Sequence, residues 1–138
     1  MALIACDTDF LIKVTNDPVP ALDWGTLSIE HDFAVMPCVI AELKGLATSK
    51  IRKTSIRAKS ALAVVEEGKK FKRMEAKESS LDADSALYEF VRADPSSRMI
   101  ATLDGSLLSR MEKAGLPYLT LSSGKPLLRS YRGNVFNR

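Results

Sequence analysis

Residues 1–11 read Met1-Ala2-Leu3-Ile4-Ala5-Cys6-Asp7-Thr8-Asp9-Phe10-Leu11. Ala2 to Cys6 is a short apolar run, the length of one buried strand. It breaks off in Asp7-Thr8-Asp9, and Phe10, Leu11 and Val14 then follow at helical spacing. Two acids therefore stand where a buried strand hands over to a helix. In parallel α/β sheets that edge is where ligands and chemistry collect. A helix cap at Thr8 or Asp9 accounts for one polar residue there. It does not account for Asp7, which falls at the end of the strand itself.

The rest of the chain repeats this alternation. Asn16-Asp17-Pro18-Val19-Pro20 breaks the first helix. Ala21 to Ile29 reads as a second helix, with Leu22, Trp24, Leu27 and Ile29 inward. Phe33 to Met36 is a second strand, and Pro37 suits the first turn of the helix after it, where its missing N–H costs nothing. Val39, Ile40, Leu43 and Leu46 mark that helix's apolar face, with Glu42 at its margin. Gly45 to Lys53 reads as a break. Thr54 to Glu67 is a basic helix, with Ile56, Leu62, Val64 and Val65 inward and Gly68 as its stop. Lys69 to Met74 has the charge of an edge strand. Ser79 to Asp84 opens the next helix, with Leu87, Phe90 and Val91 on its inner side. Met99 to Leu103 is a fourth strand ending in Asp104-Gly105, which repeats the opening pattern. A short helix from Leu107 to Ala114 and a fifth strand from Tyr118 to Leu121 complete the set.

Strands alternating with helices over short connections imply a mainly parallel sheet of about five strands, covered on both faces as a three-layer α/β/α sandwich. With 138 residues the chain has room for one such domain, residues 1–123, followed by a basic tail, residues 124–138. No apolar run approaches the roughly 20 residues of a membrane span. The start carries no basic region of the signal-peptide kind. A soluble, cytoplasmic protein is expected. Cys6 and Cys38 fall at predicted strand ends and read as buried free thiols. The one histidine, His31, lies between Glu30 and Asp32 and reads as exposed. With it alone there is no Cys/His zinc set.

Charge is strongly segregated. Residues 1–43 carry a net −6, 44–77 a net +8, 78–123 a net −3 and 124–138 a net +4. Either an anionic partner is held beside an acidic site or the basic helix is simply a solvated face. If strands one and four are neighbours, Asp7 and Asp104 meet, and Glu42 and Asp84 lie at the same sheet edge. Asp82 and Asp104 also have the position of helix caps. Four converging carboxylates repel one another unless a divalent cation sits among them. Oxygen ligands without Cys or His favour Mg²⁺ or Mn²⁺. Such an ion suits phosphodiester hydrolysis. Lys50, Arg52, Lys53 and Arg57, with Lys125, Arg129 and Arg132 in the tail, are candidate contacts for a phosphate chain. Tyr131 and Phe136 have the chemistry to stack bases. Thr8 and Thr102 have hydroxyls suited to orienting acids or water.

Asp7-Thr8-Asp9-Phe10-Leu11, Pro37 through Glu42-Leu43, Asp84-Ser85-Ala86-Leu87 and Thr102-Leu103-Asp104 together resemble the successive motifs of the PIN-domain nucleases, over residues 2 to about 121. The resemblance implies the α/β/α sandwich and metal-dependent cleavage of single-stranded RNA. It makes Asp7, Glu42, Asp84 and Asp104 the catalytic, metal-holding acids. Asp9 stands where many members carry Asn or Ser, and either joins the site or caps the helix. The run Val39 to Ala47 looks more like the pre-rRNA-processing branch than the VapC toxins. A toxin would imply an antitoxin partner, and members of the family often form homodimers. Two other classes compete. A noncatalytic RNA-binding or assembly module can use the same fold. A phosphorelay receiver is superficially matched by Asp7, Thr102 and Lys125-Pro126. However, Asp32 precedes its strand rather than ending it, and a receiver leaves Glu42 and Asp84 unexplained.

Overall fold

The computed structural model describes residues 2–17, 31–75, 82–122 and 125–133. The helix expected over residues 21–29 and Phe136 lie outside them. In chain order the elements are β1 (Leu3–Cys6), α1 (Thr8–Asn16), β2 (Asp32–Val35), α2 (Pro37–Ala47), α3 (Arg52–Glu67), β3 (Phe71–Arg73), α4 (Ala83–Ala93), β4 (Arg98–Ala101), α5 (Gly105–Ala114), β5 (Tyr118–Ser122) and β6 (Lys125–Arg129). The strands form one sheet in the order β3-β2-β1-β4-β5-β6. All neighbours are parallel except β5 and β6.

The layers follow from the strands' two-residue side-chain period. Ile4 and Cys6 of β1, with Met99 and Ala101 of β4, face one way and pack with Phe10, Leu11, Val39, Leu43, Ala61 and Val65 of α1, α2 and α3. Ala5 and Ile100 face the other way, against Leu87, Phe90, Val91, Leu107 and Met111 of α4 and α5. Strands buried on both faces must be apolar nearly throughout, as these are. The result is the expected α/β/α sandwich, with six strands rather than about five. The sixth comes from the segment read as a basic tail: Lys125–Arg129 returns antiparallel along β5.

Several local expectations shift. α2 runs through Gly45 to Ala47, so the break is confined to Thr48–Ile51. The inner face of α3 is Ser55, Ala58, Ala61 and Val65, whereas Ile56 is 51% exposed. Small residues at that seam let α3 lie close against α1 and α2, and Ser55 Oγ donates to Ala47 O at 2.6 Å across the corner. Cys38 is in the first turn of α2 rather than at a strand end, and both cysteines are free thiols. His31 is half-buried, not exposed: its Nδ1 accepts the Ala2 N–H at 3.0 Å, tying the entry of β2 to that of β1. No helix among the described residues is long and apolar enough to cross a membrane.

Candidate active site

β1 and β4 are paired with Cys6 opposite Ala101, so the residues after each strand emerge side by side at the sheet's carboxyl edge. The Asp7 N–H continues the ladder to Ala101 O at 2.8 Å. Asp7 itself caps α1, which corrects the assignment of that cap to Thr8 or Asp9. Its Oδ1 accepts the Thr8 N–H at 2.8 Å, and its Oδ2 accepts the Thr102 hydroxyl at 2.8 Å. Thr102 is fully buried, and its Oγ1 also accepts the Asp104 N–H at 3.1 Å. One hydroxyl thus joins the two strand-end acids. Asp104 caps α5, taking the N–H groups of Ser106 (2.8 Å) and Leu107 (3.3 Å) on Oδ1. Asp9 bridges the two strand ends from α1, accepting the Leu103 N–H at 3.1 Å. Cap and site are therefore the same residue at both strand ends.

From the neighbouring helices come Glu42 on α2 and Asp84 in the first turn of α4, whose cap is Asp82, accepting the Ser85 N–H at 2.8 Å. Asp7, Asp9, Glu42, Asp82, Asp84 and Asp104, with Ala83, line one cavity of about 310 Å³. In the sequence Asp82 reads only as a cap. Its place two residues before Asp84, at a helix start on the crowded edge, is the signal that it also faces the site.

The acids feel one another. Burial raises the Asp7 carboxyl above the usual range, the Thr102 hydroxyl opposes this, and the charges of Asp9 and Glu42 add to it. Burial also raises Asp9, against the Leu103 and Phe10 N–H groups and with Asp104. Asp84 is raised by burial and then by Asp7, Asp104, Asp82 and Glu42. Burial is the largest cause at all three, and the mutual charge of clustered carboxylates adds to it.

The donor set fits a hard divalent cation in chemistry: it is all oxygen and mutually repelling. Among the described residues, no group of three or more His, Cys, Asp or Glu side chains is arranged to hold an ion as it stands.

The basic candidates are not gathered around this cavity. Arg57 holds Asp17, the residue closing α1, through two bonds of 2.7 and 3.2 Å. That is the end of α1 remote from Asp7. Lys50, Arg52 and Lys53 surround the α2–α3 corner, about 16 Å along α2 from its start at the acidic edge. Arg132 pairs with Glu112 near the carboxyl end of α5, at 2.8 Å, and Arg129 lies opposite Tyr118 at the start of β5. Lys125, opposite Ser122, does stand at the acidic edge. Thr8 is buried, and its hydroxyl is the one buried side-chain polar atom without a hydrogen-bond partner among the described residues.

The solved structure of the PIN domain endonuclease Utp24 superposes with a TM-score of 0.69, covering 96% of this chain and 95% of that one at 22% identity. The chain has the PIN-domain fold. No family model matches it, and no curated protein sequence matches it. The likeness at 22% identity is one of backbone path. On this PIN fold, all four acids read from the sequence motifs come to one cavity at the carboxyl edge of the sheet.

Proposed function

We propose that this PIN-fold protein is a divalent-metal-dependent endoribonuclease. The observation that carries the reading is the convergence of Asp7, Glu42, Asp84 and Asp104, from four separate elements, on one cavity, where burial and then neighbouring charge raise the Asp7 and Asp84 carboxyls. Its structural neighbour Utp24 is itself called an endonuclease. Asp7, Asp84 and Asp104 would hold Mg²⁺ or Mn²⁺, with Glu42 completing the shell or holding a water. The bound ion supplies an activated water and stabilises the leaving oxygen of a phosphodiester.

The chain's own residues prepare that chemistry. The Thr102 hydroxyl and the Thr8 N–H fix both oxygens of Asp7. Ser106 and Leu107 hold only Oδ1 of Asp104. Asp9, locked to the Leu103 N–H, keeps the two strand ends in register. The substrate would be single-stranded RNA, and the motif around Val39 to Ala47 favours the pre-rRNA-processing branch over a toxin.

The test is cleavage of an unstructured RNA with added Mn²⁺. Wild type should cut, and chelation, Asp7→Asn and Asp104→Asn should each lower the rate at least a hundredfold. Equal rates for wild type and Asp7→Asn would end the proposal. Metal-independent RNA binding without cleavage would favour the assembly-module reading. Growth arrest on expression, relieved by a small partner, would favour the toxin.

A further inference from the structure

A second cavity, of about 300 Å³, lies at the other end of the α4–α5 layer. Tyr88 and Arg92 of α4, Pro95, Ala114, Leu116, Tyr131 and Gly133 line it. Its walls are mainly apolar and aromatic, with a guanidinium at the margin. Tyr131 is 43% exposed, a large ring at the rim of this cavity.

The two cavities are separate, but residues of one face of α4 line both. Asp84, Tyr88 and Arg92 are spaced by four, so they lie in a row on α4, about 6 Å apart along its axis. Asp84 lines the acidic cavity, and the other two line the second cavity. Between the cavities, Arg110 of α5 lays its guanidinium over the Tyr88 ring at 4.0 Å. Arg92 is paired with Glu89 at 2.8 Å and Arg132 with Glu112 at 2.8 Å, both on the surface. Arg92 is thus neutralised by Glu89, and the Arg132–Glu112 pair lies outside the cavity's lining, which leaves Arg110 as the guanidinium on this groove that no carboxylate holds in an ion pair among the described residues. A ring-lined groove that carries one fixed guanidinium on the flank of an acidic site offers a single strand a phosphate contact along the way and a π-face at the end.

We propose that single-stranded RNA leaving the acidic cavity runs along the α4–α5 groove past Arg110 and seats a base in the cavity lined by Tyr88 and Tyr131. The inference rests on the nuclease reading for the identity of the strand. It relocates the RNA path, away from the basic α2–α3 corner and onto the opposite face of the sheet. Arg110, already stacked, offers a fixed charge near the cleft. Tyr131 supplies stacking that tolerates any base.

The experiment uses the full chain and a ten-nucleotide RNA with 2′-O-methyl groups, which resists cleavage and carries one 5-iodouracil. Affinity is read by fluorescence anisotropy, and photocrosslinks are mapped by mass spectrometry. Tyr131→Ala and Arg92→Ala alter exposed side chains, so the fold survives them. Each should weaken binding, Tyr131→Ala by roughly tenfold as for loss of one stacked base. Tyr131→Phe should bind like wild type, and the crosslink should fall on Tyr88 or Tyr131. Wild-type affinity in both alanine variants, or crosslinks at Lys50 to Lys53, would overturn the path and leave the nuclease reading standing. Affinity lost as predicted in a protein that never cuts RNA would support the path and remove the nuclease reading.

Discussion

Two threonines beside Asp7 show how much a single hydroxyl can decide. Thr102 is fully buried, donates to Asp7 and accepts from the Asp104 N–H. Thr8 is buried one residue along the chain, and its hydroxyl has no hydrogen-bond partner among the described residues. The same substitution should therefore have opposite effects. Thr102→Val leaves a buried carboxylate oxygen and a backbone N–H without their partner, at a cost of about 2 kcal/mol. It also frees Asp7 to turn, so RNA cleavage should fall at least tenfold, and Thr102→Ser should restore most of both. Thr8→Val removes a desolvated hydroxyl in an equal volume and should raise stability by about 1 kcal/mol. Urea denaturation of the two variants checks the signs; a destabilised Thr8→Val would mean that hydroxyl has a role in the site. Asp7→Asn belongs with them. Asn keeps one oxygen, which can still cap α1, while its amide NH2 would donate toward Thr102 Oγ1 instead of accepting from it, and the repulsion from Asp9 and Glu42 disappears. Melting temperature should rise by about 4 °C, the size expected for roughly 1 kcal/mol in a domain of this length, as activity is lost.

At the scale of elements, what could be read from the sequence was what local chemistry dictates. The strand-then-acid pattern located β1, β4, Asp7 and Asp104, because a strand buried on both faces has to be apolar and must end where polar groups begin. The same logic placed Pro37 at the start of α2 and Gly68, at φ 72°, as the stop of α3. The face of α3 is hard to read because large aliphatic residues draw attention and alanines do not. Ile51 is 66% exposed and Ile56 51% exposed, while Ala58 and Ala61 are sealed against α1 and α2. β6 escapes notice because its charges and Pro126 describe an edge strand as well as a tail. Which side of α3 matters is testable by two substitutions on that helix. Ala61→Leu should overpack the seam and cost about 1–3 kcal/mol. Ile56→Ala should stay within about 0.5 kcal/mol of wild type. Chemical denaturation of each measures this, and equal losses would mean that both faces of α3 are packed.

For the whole molecule, the strand order decides where charge is concentrated, and no local pattern contains that order. The acids of residues 1–43 and 78–123 meet because β1 and β4 are neighbours, while Arg57 and Arg132 are spent on ion pairs at helix ends away from the cavity. A domain built this way stores repulsion at one edge, and its stability should follow the protonation of that edge. Asp7, Asp9 and Asp84 are raised in the fold. Just above the ordinary carboxylate pKa, the native state therefore holds protons that the unfolded chain has released. The unfolding free energy then falls as pH rises through that window and levels off above it. Asp17, held at about 2 by the Arg57 guanidinium, and Asp82 and Glu112, also lowered, act with the opposite sign. Their contribution is present above the unfolded pKa and is lost as pH drops below it. Metal-free protein should consequently be most stable at mildly acidic pH and melt several degrees lower at neutral pH. Mg²⁺ or Mn²⁺, binding the ionised cluster only in the folded chain, should recover that loss at neutral pH and do little at pH 5, as mass action requires. Thermal scans from pH 4 to 8 with and without divalent cation test this. A melting temperature that rises steadily to pH 8 in chelator and ignores Mn²⁺ would mean that the carboxylates do not act as one charged unit.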